Sequence, residues 1–319
     1  MNTELKQLRS DVVALATREG RMVGTPGHQR ARQFLVKRLS ELELFPYLES
    51  GFSLPYRHGM ADLCNVIGAI PGHRTDLPPV LIGAHFDTCG PQPGADDNAA
   101  AVAIALCVAK RLTTRRLERS VIVALFDGEE PPHFLSPAMG SMHFYDHQRL
   151  GPIHCALIMD LVGHDVPAAG LEDLVFVTGM ESDPQLPSAV GSLAPAGIRV
   201  QPVLNRYIGD LSDHHVFREN HRPYLFLSCG RWEHYHARTD TPDRLNYGKM
   251  LAIADYVTEL TLRTSAAELA GPFDRGDTLN LETTAVRAHF GGMLGPAARL
   301  SRRWQMDAFV TVAMAMYGL

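Results

Sequence analysis

The stretch "PVLIGAHFDTCGPQPGADDNAAAVAIALCVAKRL", residues 79–112, decides how the rest of the chain is read. It opens on an apolar run of strand length. It then crosses a loop holding a histidine and three aspartates, and it closes on a segment that is apolar nearly all round. The run "PVLIGAH" (79–85) lacks polar alternation, as in a strand buried on both faces. The segment "NAAAVAIALCVAKRL" (98–112) has no polar face and reads as a buried helix. A loop this acidic between two buried elements has to hold something in place.

Similar apolar runs recur on both sides: "LCNVIGAI" (63–70), "SVIVALF" (120–126), "IHCALIMD" (153–160), "LVFVTG" (174–179) and "RPYLFLSC" (222–229). Helical spacing appears between several of them, in "QRARQFLVKRLSELEL" (29–44) and "YGKMLAIADYVTELTLRT" (247–264). The N-terminal "MNTELKQLRSDVVALATREG" reads as an amphipathic helix. Its charges are spread throughout, which argues against a secretory signal. The expected fold is α/β: a three-layer sandwich with a mostly parallel, mixed, twisted sheet and helices on both faces. Residues 1–264 form the expected catalytic domain, and 265–319 a C-terminal extension. In that extension "AGPFDRGDTLN" reads as a loop and "PAARLSRRWQMDAFVTVAMAMYGL" as a helix packed on the main domain. The alternative is a homo-oligomer contact covering its Met and Trp side chains.

The 319 residues carry a formal net charge of -5 with no basic run, which argues against nucleic acid and anionic membrane as partners. Five cysteines, none in a C-x-x-C pair, argue against both a disulfide framework and a thiolate zinc site. Reduced, mostly buried thiols in a cytoplasmic protein are expected. Cys89 stands apart, because it lies inside the acidic loop.

In open α/β sheets, ligands sit beyond the carboxyl ends of the strands. His85 and Asp87 follow one apolar run, Asp127, Glu129 and Glu130 another, Asp160 a third, and His234 and His236 the last. His85 is either a ligand oriented by Asp87 or a hydrogen-bonded strand-end histidine. One of Asp96, Asp97 and Asn98 suffices to cap the helix, which leaves a spare carboxylate to bridge two metals. Glu129 and Glu130 are adjacent acids that need a positive neighbour. One suits a ligand and the other a general base. Asp160 is a ligand or a strand-end acceptor, and His234 and His236 compete for one role. Imidazole plus carboxylate suits zinc, and the abundance of carboxylates suits two metals sharing one of them.

Together these motifs resemble the zinc aminopeptidase family with two co-catalytic zinc ions, which also includes the glutaminyl cyclases. The matching segments are "HFD" (85–87), "GADDN" (94–98), "DGEE" (127–130), "IMDLVG" (158–163), "SDH" (212–214) and "YHARTDT" (235–241), in family order over roughly residues 20–262. An early "RMVGTPGHQRARQFL" also looks like the family's helix start. The resemblance implies one zinc on His85 and Asp160, another on Glu130 and His236, and Asp96 bridging them. It makes Asp87 the orienter of His85, and Glu129 the general base and acid. A cis peptide between the two aspartates is also expected. His214 and Tyr207 are candidate substrate contacts, and Phe134 and Leu135 candidate pocket walls.

The implied activity is hydrolysis of the N-terminal peptide bond of a peptide with a free N-terminus, by a metal-bridged water. Two zinc ions per chain would serve it. "PPHFLSPAM" after Glu130 departs from common aminopeptidases towards the cyclases, whereas Tyr235 and the run Asp96, Asp97, Asn98 favour the peptidase. Glutaminyl cyclisation with one zinc is therefore the alternative. A non-catalytic binding domain ranks below both, because every matched position is filled.

Overall fold

The computed structural model describes residues 2–271, 278–291 and 300–317. In chain order the strands are β1 (Phe45–Pro46), β2 (Ser53–His58), β3 (Ala61–Ile70), β4 (Val80–His85), β5 (Val121–Phe126), β6 (Cys155–Met159), β7 (Leu174–Thr178), β8 (Arg199–Pro202) and β9 (Tyr224–Ser228). They form one mixed sheet in the order β1-β3-β5-β4-β6-β9-β7-β8, with β2 paired to the outer part of β3. The parallel pairings β5–β4, β4–β6 and β6–β9 make up its centre. Antiparallel pairs lie on either side, β3 against β5 and β7 against β9.

All six expected strands are present. Strands β1, β2 and β8 were not anticipated. They are short or partly exposed, so they lack the continuous apolar run that marks a central strand.

Alternate residues of the central strands enter two cores, as the pleat requires. Val80, Ile82, Val121, Val123 and Leu157 pack with α1 (Thr3–Leu15), α2 (Pro26–Glu41) and α3 (Ala101–Leu112) on one face. Leu81, Ile122, Phe126 and Ile158 pack with Phe144, Val216 and Phe217 on the other. The second layer is thinner. It contains α4 (Gly140–His143), the π-helical turn Phe144–Gln148, and α7 (His214–Glu219), which comes after α5 (Leu186–Gly191) and α6 (Asn205–Ile208). Helix α3 is buried along nearly its whole length, as its composition implied. Its regular part begins at Ala101, three residues later than the sequence suggested, because Asp97 and Asn98 have non-helical backbone angles.

The proposed boundary at 264/265 falls inside α8 (Tyr247–Ala266), two residues before its end. Beyond it come α9 (Leu279–Phe290), which was not anticipated, and α10 (Arg303–Tyr317). Val286, Phe290, Met306 and Val310 from these helices join the main core, while Trp304 faces outward at 64% exposure. Residues 272–277 of the expected loop lie outside the described residues, as do 296–299 and 318–319 of the expected terminal helix. No described helix is long and apolar enough to cross a membrane.

Candidate active site

Because β5, β4, β6 and β9 run parallel, their carboxyl ends reach the same edge of the sheet. The last residue of β4 is His85, and its ring is buried. Its Nε2 lies 3.4 Å from Asp97 Oδ1, 3.6 Å from Asp160 Oδ1 and 3.7 Å from Glu129 Oε2. On the far side of Asp97, His236 Nε2 is 3.2 Å from Asp97 Oδ2 and 3.0 Å from Glu130 Oε2. Asp97 thus turns one carboxylate oxygen to each histidine. Two donor groups result: His85 with Asp97 and Asp160, and His236 with Glu130 and Cys89.

The aspartate between the histidines is therefore Asp97, and the assignment of Asp96 to that place is corrected. The carboxylate of Asp96 points away from the site. Its Oδ1 accepts from Gly163 N at 2.6 Å and His164 N at 3.1 Å, and its Oδ2 pairs with His164 Nδ1 at 2.6 Å. With these three partners Asp96 ties the start of the helix to the loop after β6. The cis peptide is likewise Asp97–Asn98, one residue later than expected. Asp240, within "TDT", completes this arrangement by accepting from Asp96 N and Asp97 N at 2.9–3.1 Å.

Asp87 lies beside His85, with its Oδ1 3.4 Å from His85 Nδ1. It also accepts from the backbone N–H groups of Glu129 and Glu130, each at 3.1 Å, so it positions both glutamates as well as the histidine. Asp127 takes no part in the site, because its oxygens are engaged by His28 Nε2 and Cys64 N. Of the rival histidines His236 enters the site, whereas His234 bonds Thr239 Oγ1 at 3.0 Å.

The four proposed substrate contacts separate. Phe134 lines the cavity in front of the site. Leu135 is 42% exposed and lies outside the lining. Tyr207 borders a neighbouring apolar groove, where its hydroxyl bonds Asp307. His214 is buried behind the cavity wall, stacked on Phe226 at 4.2 Å, with its Nε2 against Gly209 O at 3.0 Å. Leu135 lies in the loop after Glu130, while Tyr207 and His214 sit on the short helices α6 and α7; sequence spacing does not specify the direction of either kind of segment, hence the three misplacements.

The residue missed altogether is Arg21. Its guanidinium is buried and donates to five backbone carbonyls: Phe86 at 2.6 Å, Leu15 at 3.1 Å, Pro93 at 2.6 Å, Gly94 at 2.9 Å and Asp97 at 3.4 Å. Burial pulls it down to about 10, opposed by the charges of Asp97, Asp240, Asp87 and Glu130. It remains a cation at neutral pH and braces the whole loop from β4 to Asp97. The one available signal was its place just ahead of "GTPG".

The electrostatics of the ion-free site call for a cation. Burial, joined by the charges of Asp160 and Glu130, raises Glu129 well above the usual carboxylate range although His85 opposes it. Burial and Asp97 push Glu130 up to about 8. Burial disfavours charge on His236, but the carboxylates of Asp97 and Glu130 beside it outweigh that and raise the imidazole to about 10. Buried and without a hydrogen-bond partner are His85 Nε2, Asp160 Oδ1, Glu130 Oε1 and His236 Nε2. Orphaned imidazole and carboxylate atoms facing one another are the donor set of a divalent-metal site.

The cavity over these groups has a volume of about 390 Å³. Its floor is Asp97, Glu129, Glu130 and Asp160, and its walls include Phe134, Ile208, Leu211, Phe226, Tyr235 and Met314.

Residues 65–261, more than half of the chain, match the sequence model of peptidase family M28. The uncharacterized protein YfbL of Escherichia coli (strain K12) is 29% identical over 217 residues, covering 58% of this chain and 67% of YfbL. Among solved structures, the LapA aminopeptidase of Legionella pneumophila superposes with a TM-score of 0.67 at 17% identity, covering 83% of this chain and 71% of LapA. A glutaminyl cyclase of Porphyromonas gingivalis gives 0.63 at 18% identity, covering 81% and 97%. At these identities the structural likeness shows a shared fold.

Proposed function

The chain belongs to peptidase family M28, and on that premise we propose that it is a metal-dependent aminopeptidase. It would hydrolyse the peptide bond next to a free N-terminus. The observation that carries this reading is the two-sided placement of Asp97, with Oδ1 towards His85 and Oδ2 towards His236. One carboxylate shared by two donor groups suits two ions rather than one. His85, Asp160 and Asp97 would hold the first, and Glu130, His236 and Asp97 the second, with zinc the best match to nitrogen and carboxylate donors.

When bound, such a pair supplies Lewis acidity to the scissile carbonyl and makes an attacking water more acidic. Glu129 is placed to accept that water's proton, since its Oε2 lies beside His85 at the cavity floor. The same carboxyl can then hand the proton to the departing amine. The surrounding carboxylates favour a substrate ammonium, which selects free N-termini. The apolar walls take the adjoining side chain.

The test combines metal analysis with assays on one preparation. Aminoacyl anilides should be hydrolysed by protein carrying two zinc ions per chain, and N-acetylated analogues should not. Pyroglutamate formation from N-terminal glutamine peptides, without anilide hydrolysis, would replace this reading with cyclisation.

A further inference from the structure

Cys89 lies on the His236 side of the donor set, and the chemistry above leaves it unused. Its Sγ, a carboxylate oxygen of Glu130 and a ring nitrogen of His236 all lie within 4.8 Å of one another. The pair His236 and Glu130 touch through Nε2 and Oε2 at 3.0 Å, which leaves the other Glu130 oxygen over. Glu130 is only 4% exposed, and its Oε1 is buried without a hydrogen-bond partner. The opposite group, His85, Asp97 and Asp160, contains nitrogen and oxygen alone. We propose that Cys89 is a thiolate ligand of the ion held by Glu130 and His236, so that the two metal positions differ in kind. This proposal rests on reading the site as a metal centre.

The loop that presents the sulfur is braced on both sides. Thr88 Oγ1 accepts from Arg21 N at 2.8 Å and donates to Gly90 O at 2.9 Å. The guanidinium of Arg21 holds Phe86 O and Pro93 O. Gly20 packs so closely beneath that a Cβ there would lie 2.6 Å from both Gly90 O and Gln92 O. Cys89 is thus flanked by fixed backbone and needs no loop rearrangement to reach the ion. Among the described residues, no other cysteine belongs to a group able to hold a metal.

On ligation the S–H bond breaks, its proton leaves to solvent, and a sulfur electron pair forms the bond to the ion. Thiolate prefers softer divalent ions, so this position should rank cadmium, zinc and cobalt above manganese and magnesium. The all-oxygen-and-nitrogen position should discriminate less. A second consequence concerns reactivity. Without an ion, the half-buried thiol can be reached by small alkylating reagents, slowly at neutral pH because burial and the carboxylates of Glu130, Asp97 and Asp87 hold its pKa up, whereas a bound ion withdraws its electron pair.

Cobalt(II) substitution of the full chain separates the claims. Wild type should show visible cobalt d–d bands together with a near-ultraviolet thiolate-to-cobalt charge-transfer band. Cys89→Ser should keep the d–d bands and lose the charge-transfer band. Iodoacetamide with peptide mapping should label Cys89 in chelated protein and spare it in zinc-loaded protein. Wild-type d–d bands without the charge-transfer band would overturn Cys89 ligation and leave the metal centre standing. A charge-transfer band that survives Cys89→Ser would also overturn it. No cobalt uptake at all would overturn the metal-centre reading and this proposal with it.

Discussion

Replacing Arg21 with methionine tests the account of how the acidic loop is held. Methionine keeps most of the length and removes every donor. Five backbone carbonyls lose their partner, those of Leu15, Phe86, Pro93, Gly94 and Asp97. Hydrogen bonds from a charged donor are each worth roughly 1.5–3 kcal/mol net, so a plain sum would exceed 7 kcal/mol. That sum overstates the effect, because methionine also escapes the desolvation of a buried cation. Removing one side of a buried charge network costs about 3–5 kcal/mol, and that is the expected loss of stability. Releasing the Gly94 and Asp97 carbonyls also loosens the segment that carries the shared carboxylate, and disturbing groups that orient ligands lowers metal affinity roughly 10- to 100-fold. Urea unfolding in the presence of chelator reads the first quantity, and competition against a chromophoric zinc chelator reads the second. Arg21→Lys, which retains three donors, should fall between wild type and Arg21→Met in both. The reasoning is refuted if Arg21→Met unfolds within 1 kcal/mol of wild type and binds zinc equally well.

Three further outcomes are expected. Glu129→Gln should lower turnover by about 10²–10⁴-fold while keeping its zinc, because an amide cannot carry the proton. Retained activity would remove Glu129 from proton transfer. Asp97→Ala should lose zinc from both positions, whereas Asp96→Ala should mainly lower stability, as its three partners are structural. The opposite pattern in metal analysis would restore Asp96 as the shared ligand. His214 provides a pH signature. Burial lowers it from 6.5 to about 4, so the unfolded chain binds a proton that the folded chain refuses between those values. Its contribution is therefore intact above pH 6.5 and lost as pH falls towards 4, by about 3 kcal/mol. His214→Gln should flatten that part of the stability profile, and identical pH slopes in wild type and variant would contradict the assignment.

What the sequence disclosed follows from which forces act locally. Central strands are buried on both faces, so their apolar runs stand out without any structural aid, and the acids at their ends follow. The choice between Asp96 and Asp97 is different in kind. The two are adjacent, equally acidic and both buried, and what separates them is a backbone turn fixed by remote groups, His164 and Asp240. No local pattern encodes that. Helix α9 was hidden by two polar residues on its inner face, Glu282 and Thr283. Glu282 is buried there because Arg303 of α10 pairs with it at 2.8 Å. Leu135, Tyr207 and His214 were misplaced because the direction of a loop, or of helices as short as α6 and α7, depends on contacts far away in the chain.

The shared edge of the parallel strands has a consequence for when the chain can act. His85, Asp97, Glu130, Asp160 and His236 are delivered by four strand ends, and the last lies beyond β9. A nascent chain that has not yet placed β9 has no complete donor set. An opened or partly unfolded chain has none either, so under the proposed function it would not trim neighbouring polypeptides before its own folding is complete. A bound ion would then select the finished state by mass action, adding roughly 4 kcal/mol when free metal exceeds its dissociation constant a thousandfold. Catalytic competence and completion of the sheet would thereby be one event, with metal supply a control on how much of the polypeptide is held folded.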